Sequence, residues 1–255
     1  MSVKPKDRSP AAPPHDRFLD LEGTLNTRDL GGLPLRGGGY TLHGKLFRSD
    51  GPIGLTAADV EALLALPLST VIDLRQGHEL EREPSRLLDR PGVDVRNIEV
   101  WSHIDANGER PADKYDITAF YLAAIDHAGS AFANAVTVLA EAEGAALFHC
   151  TAGKDRTGLL AALMLEAVGV DRDTVIADFA LTHDRIGPLR ERLLADAERN
   201  GVARTDFQRL LGATPELMVP ALDHLDARHG GAAAYLRRAG VSDAAMTSLR
   251  TKLAG

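Results

Sequence analysis

Apolar and polar positions alternate with three different periods along the chain, and each period predicts an element. Ser69-Thr70-Val71-Ile72-Asp73-Leu74-Arg75 and Ala145-Ala146-Leu147-Phe148 are short apolar runs, the first rich in β-branched residues, and both read as buried strands. Gly92 to Val100 alternates and reads as a further strand. Tyr40-Thr41-Leu42 and Lys45 to Asp50 read as a strand pair, a hairpin at the edge of the sheet. Helical spacing covers Ala57 to Leu66, with Thr56 as its cap and Pro67 as its stop, and Ile117 to Ala142, with a break near Gly129. Leu159 to Leu165 opens another helix, closed by Val168-Gly169-Val170, and Asp171 to Ala180 starts the next. Trp101 to Asp116, with Asn107-Gly108 and Pro111, reads as a loop.

Strands alternating with helices predict an α/β fold, a central sheet flanked by helices. From residue 170 to Gly255 the chain is rich in alanine and leucine, a helical C-terminal elaboration or cover. No internal repeat or linker divides the chain, so residues 18–255 are expected to form one domain. Residues 1–17, proline-bearing and without an apolar segment, are expected to be a disordered tail rather than a leader or an anchor.

Composition narrows the function. With 44% hydrophobic residues in 255, the chain buries a substantial core. A net charge of -7 disfavours nucleic acid and anionic membrane surfaces as partners, which need a broad basic face. No apolar run reaches the roughly 20 residues of a spanning helix, so no integral membrane segment is expected. The single cysteine makes no internal disulfide, which suits a reducing, cytoplasmic setting and leaves a thiol free for chemistry. His103, His127, His183 and His224 show no metal-ligand spacing, and no metal or cofactor is expected.

That thiol sits in His149-Cys150-Thr151-Ala152-Gly153-Lys154-Asp155-Arg156-Thr157-Gly158, between a strand and a helix. A core segment would not carry Lys154, Asp155 and Arg156 together. A loop of this length, bending before a helix, turns its backbone N–H groups inward and adds the helix N-terminus, a cradle for a tetrahedral oxyanion. Arg156 supplies a planar guanidinium that pairs two phosphate oxygens at once. The same positive field favours a thiolate at Cys150, to which the Thr157 hydroxyl is expected to donate. His149 is expected to orient backbone rather than to transfer protons. The nucleotide-binding alternative fails, because Phe148 and Asp155 stand where that motif needs glycine and a hydroxyl residue.

The loop resembles the signature of the cysteine-dependent tyrosine and dual-specificity phosphatases, above all the atypical bacterial tyrosine/phosphoinositide phosphatases, whose loop ends Lys-Asp-Arg-Thr-Gly. Asn26-Thr27-Arg28-Asp29-Leu30-Gly31-Gly32, Phe47-Arg48-Ser49-Asp50 and Val71-Ile72-Asp73-Leu74-Arg75 are similar in kind and order to the blocks ahead of that family's loop. Thr27 departs from it, standing where an aromatic residue is expected.

The resemblance implies a mostly parallel central sheet and a two-step reaction. Cys150 attacks phosphorus to form a phosphocysteine, Arg156 and the amides of Thr151 to Thr157 stabilise the phosphoryl oxygens, and water releases phosphate without a metal. It implies bracing roles for Asp29, Arg48, Asp73 and Arg75. The aspartate that relatives carry after Trp-Pro is missing, since Ser102 and His103 follow Trp101. In the atypical bacterial group the acid lies inside the signature loop, so the resemblance implies Asp155 here, with Asp105, Asp113 and Asp116 as alternatives. Lys154 suits multiply phosphorylated head groups, or else is a solvated charge or a partner of Asp155. The implied substrates are phosphotyrosine proteins, with phosphoserine/threonine and phosphoinositides beside them. The competing readings are a rhodanese-like sulfurtransferase or arsenate reductase, and a phosphate-binding module without turnover.

Overall fold

The computed structural model describes residues 17–106 and 110–255. Five strands run β1 Arg28–Asp29, β2 Leu46–Ser49, β3 Leu68–Asp73, β4 Asp94–Asn97 and β5 Ala145–His149. The helices are α1 Ala57–Leu64, α2 Gly77–Arg82, α3 Trp101–Ala106, α4 Ile117–His127, α5 Gly129–Glu141 and α6 Asp155–Val168. The C-terminal third adds α7 Arg172–Ala180, α8 Thr182–Arg185, α9 Gly187–Arg199, α10 Arg204–Gln208, α11 Pro215–His229, α12 Ala232–Arg238 and α13 Asp243–Ala254. The expected tail lies outside the described residues except for Arg17, which is buried in the fold.

The strand order is β1-β2-β5-β3-β4, all neighbours parallel except β1 with β2. The fold is α/β, a mostly parallel sheet flanked by helices. β5, the apolar run ahead of the cysteine, is the middle strand, buried along its whole length. A parallel strand flanked on both sides must be apolar on both faces, which is why its sequence does not alternate. Its C-terminal end, with those of β2 and β3, opens on one side of the sheet, the edge at which open α/β sheets place their ligands.

Local signals read correctly. Thr56 caps α1 by accepting from Asp59 N at 3.2 Å, and Gly169 ends α6 at φ 98°. Helices α4 and α5 meet at a 76° bend. No single helix among the described residues is long and apolar enough to cross a membrane.

Two expectations are corrected. β2 is not the edge strand of a hairpin; it lies between β1, to which it is antiparallel, and β5, to which it is parallel, completely buried, and Tyr40 pairs through an isolated bridge with Pro34. The Trp101 segment is helical over α3, because it turns Ile104 into the core under α4.

The sheet and the helical end are joined by charge as well as by apolar contact. Asp178 on α7, almost fully buried, faces three arginines: Arg17 Nη2 at 2.8 Å, Arg28 Nε at 3.1 Å and Arg48 Nη1 at 2.7 Å. Burial would push its carboxyl up, but the charges of Arg28, Arg48 and Arg17 hold it far below the carboxylate range. Burial and the charge of Arg48 together outweigh Asp178 at Arg28, whose pKa falls to about 9. Removing the one negative charge from this knot leaves buried cations unpaired. Asp178→Asn is expected to cost about 3–5 kcal/mol of stability in chemical denaturation; a loss below about 1 kcal/mol would show that water or relaxation compensates the arginines.

Candidate active site

The loop leaves β5 at His149 and enters α6 at Asp155. Two close approaches shape it. Gly153 has φ 64°, and a Cβ there would lie 2.5 Å from Ser49 O, so only glycine lets the loop turn against the end of β2. One turn into α6, a Cβ on Gly158 would sit 2.8 Å from Phe179 Cδ2, so glycine there lets α7 pack onto the loop's helix.

Cys150 is almost fully buried at the base of the loop. Arg156, also buried, is oriented by Glu79 of α2, with Nη1 at 2.6 Å from Oε2 and Nη2 at 3.0 Å from Oε1. Nη2 also donates to Thr151 Oγ1 at 3.2 Å, and the Thr151 hydroxyl donates to Glu79 Oε1. The Trp101 ring lies under the guanidinium at 5.7 Å. Burial works against the charge of Arg156, but its electrostatic pairing with Cys150 and Glu79 outweighs it and raises its pKa. Burial likewise pushes the Glu79 carboxyl up, while its hydrogen bond and charge pairing with Arg156 pull it down to about 2.

His149 is buried and donates from Nδ1 to Cys150 O at 3.2 Å, while its Nε2 lies 3.5 Å from Asp73 Oδ2. Burial dominates and lowers its pKa. Asp73 and Arg75 brace the neighbouring strand end: Arg75 Nη2 lies 2.6 Å from Asp73 Oδ2, and its Nη1 donates to Glu83 O at 2.9 Å. Arg48 reaches the loop itself, Nη2 donating to Gly153 O at 2.8 Å. Asn26 does the same through Nδ2, 3.3 Å from Ala152 O and 3.2 Å from Gly153 O. Thr27, in place of an aromatic residue, links Thr24 and Ser49 through hydroxyl contacts of 2.6 Å each.

Asp155 is partly exposed at the first turn of α6. Its Oδ1 accepts from Tyr121 Oη at 2.7 Å and lies 3.0 Å from Lys154 Nζ. The alternatives are engaged elsewhere. Asp116 caps α4 through Ala119 N, Asp113 holds Arg209 at 2.8 Å, and Asp105 pairs with Arg110 and Gln76.

Three expected placements are corrected. Asp29 is not beside the loop; its carboxylate accepts from Gly31 N and Gly44 N and pairs with His43, at the other end of β2, because β1 is antiparallel to β2. The Thr157 hydroxyl makes no hydrogen bond to sulfur; it is buried with no partner among the described residues. Lys154 is neither solvated nor free in the cradle. It is fully buried, and Nζ donates to Leu210 O and to Gly212 O at 2.9 Å besides facing Asp155.

Glu79, Tyr121 and Asp178 escaped the sequence reading: Tyr121 and Asp178 fell in stretches read only as helix, and Glu79 in no predicted element. Glu79 left one trace, its spacing three residues after Gln76, whose backbone N–H it accepts at 2.9 Å. The helical end also meets the loop directly, Ile186 and Leu189 packing on Ala152. A cavity of about 250 Å³ beside it is lined by Leu25, Asp50, Gly51, Thr151, Leu189 and Arg192.

A buried cysteine and arginine facing one anion-sized loop, at the ligand edge of a parallel sheet, are the parts of a phosphoester-handling site. The model of the tyrosine phosphatase family matches residues 19–255, and the chain belongs to that family. It is accordingly a hydrolase of the protein-tyrosine phosphatase type. It is 32% identical to a Cupriavidus necator protein named as a tyrosine-protein phosphatase, over 88% of this chain and 84% of the relative. It is 29% identical to the triple specificity protein phosphatase PtpB of Mycobacterium tuberculosis, over 83% of this chain and 91% of the relative. The solved structure of P. aeruginosa TpbA is similar at 22% identity over 67% of this chain and 89% of that one, with a TM-score of 0.38.

The Glu79 pairing carries a pH signature. A carboxyl depressed in the folded chain contributes stability that is complete above its ordinary value of 4.5 and is lost as pH falls toward about 2. The stability difference between the wild type and Glu79→Gln, measured by denaturation, is expected to be constant above pH 5 and to shrink between pH 4.5 and 2. A difference that stays flat down to pH 2 would place the stabilisation outside the ion pair.

Proposed function

We propose that this phosphatase hydrolyses phosphotyrosine through a phosphocysteine formed on Cys150, with Asp155 as the proton donor. The observation that carries the reading is the bidentate hold of Glu79 on Arg156, which fixes the guanidinium at the head of α6 above the loop that Cys150 begins. The Cys150 thiolate forms the S–P bond as the P–O bond to the tyrosyl oxygen breaks, and Asp155 gives its proton to that oxygen. Tyr121 and Lys154 hold Oδ1 of Asp155, which leaves Oδ2 to carry the proton. Arg156 and the backbone N–H groups of Thr151 to Thr157 stabilise the phosphoryl oxygens. In the second step water attacks phosphorus, the S–P bond breaks, and the water's proton returns to Asp155. No step uses a metal or cofactor.

Residues 18–255 act as one catalytic domain in this reading, since one hydrophobic cluster runs from Ile72 and Phe148 of the sheet to Leu253 of α13. The helical end covers the loop through Ile186, Leu189 and the Leu210 and Gly212 carbonyls. A reducing, cytoplasmic setting is part of this reading, supported by the need to keep a thiol nucleophile reduced. Phosphoserine/threonine and phosphoinositides form a second reading, supported by the relative named for triple specificity.

Asp155→Asn is expected to lower kcat on aryl phosphates by about 10²–10⁴-fold, more for poor leaving groups. Cys150→Ser, the control, abolishes turnover while inorganic phosphate still binds. Full activity in Asp155→Asn with loss in Asp105→Asn would move the acid to α3. Lys154→Ala separates the substrate readings on a matched panel. A fall confined to phosphoinositides supports a lipid role, whereas an equal fall on every substrate leaves Lys154 as the anchor of the 210–212 segment alone.

A further inference from the structure

His103, His127, His183 and His224 show no metal-ligand spacing among themselves, but the fold unites His224 and His229, five residues apart on α11, with a carboxylate. We propose that Asp126, His224 and His229 form a binding site for a divalent transition-metal ion, zinc foremost, that clips the end of α4 to the C-terminal end of α11. The site is separate from the phosphatase machinery, and none of its residues takes part in the reaction proposed above.

The geometry is that of a donor set rather than of a chance pair. His224 Nε2 lies 2.9 Å and His229 Nε2 3.4 Å from the same oxygen, Asp126 Oδ1, and the three donor atoms all lie within 4.8 Å of one another. Ligands about 2.0–2.1 Å from a tetrahedral zinc are about 3.3–3.4 Å apart, so a small closing movement brings all three onto one ion. Asp126 stands 98 and 103 residues before the two histidines, which is why spacing could not bring the carboxylate into the set.

The surroundings hold the ligands in place. The His229 ring meets the Tyr235 ring edge-on at 5.0 Å, and Tyr235 Oη donates to Ile125 O at 2.9 Å, one residue before Asp126. Arg238 Nη2 donates to His229 O at 2.7 Å. The histidine side chains are about one-fifth exposed, so one coordination position faces solvent and takes water.

Two imidazoles and one carboxylate select zinc and its neighbours over magnesium and calcium, which demand oxygen ligands. Arg228 Nε, 3.8 Å from Asp126 Oδ1, opposes a cation, but its side chain is 64% exposed and free to turn into solvent when the ion enters. The resting carboxylate accepts hydrogen bonds from His224 and His229; burial works against its charge, yet the two histidines and Arg228 hold its pKa below the usual value.

The test uses the full chain carrying Cys150→Ser, so that the active-site thiol cannot bind the metal itself. After chelator treatment and dialysis, titration with Co²⁺ is expected to give the visible d–d bands of a four-coordinate site at one ion per chain, displaced by Zn²⁺. His224→Gln and His229→Gln, each also in the Cys150→Ser chain, are expected to weaken Zn²⁺ binding in calorimetry by more than about tenfold. Zn²⁺ is expected to raise the unfolding temperature of the parent chain but not of either variant. The absence of saturable Co²⁺ or Zn²⁺ binding would overturn the proposal, as would binding of equal strength in both histidine variants.

Discussion

One buried carboxylate under three guanidinium groups is the constraint on which the rest of this molecule depends. Asp178 leaves the knot of Arg17, Arg28 and Arg48 with two uncompensated positive charges beneath the phosphate-binding loop. Desolvated charge of that kind is tolerated only where each donor also finds hydrogen bonds. Arg28 finds them on Asp178 O and Thr182 Oγ1, Arg17 on Asp29 O, and Arg48 on Gly153 O. The last of these matters most, because it ties the loop to the second strand of the sheet and aims residual positive potential at the place where an anion binds.

On the outer side of the loop the opposite charge balance holds. Glu79 neutralises Arg156 and fixes its plane, so that in the proposed reaction the guanidinium needs no reorganisation to meet a phosphoryl group. The loop is thus held from within by excess cation and from without by an anion. Gly153, at φ 64°, is the point where the backbone turns between the two.

The parts read from the sequence are those whose cause is local. The β5 run, the loop, the helix after it, the Thr56 cap and the Gly169 stop each depend on neighbours within a few residues. What the sequence hid depends on distant partners. Tyr121 reads as an apolar helix position until α4 brings it to Asp155, and Glu79 reads as a surface acid until α2 packs beside Arg156, 77 residues away. The misplaced hairpin has the same origin. Lys45 to Asp50 has the look of an edge element, and only the parallel crossover from β2 by way of β3 to β5 makes it an interior strand. Asp29 was misjudged because a two-residue strand points successive side chains to opposite sides, so Arg28 enters the knot while its neighbour serves the 31–44 turn.

Lys154 gives the helical end a meaning beyond shelter. An ammonium group has three hydrogens, and two of them are used by main-chain oxygens of residues 210 and 212, contributed from far along the chain. The α/β core is therefore not a self-sufficient catalytic unit to which helices were appended. Shorten the chain before that segment and a buried cation beside the nucleophile's loop loses two of its acceptors, which makes residues more than fifty positions downstream part of the electrostatic definition of the loop. Trimming of this chain is bounded at that segment and not at the end of the sheet.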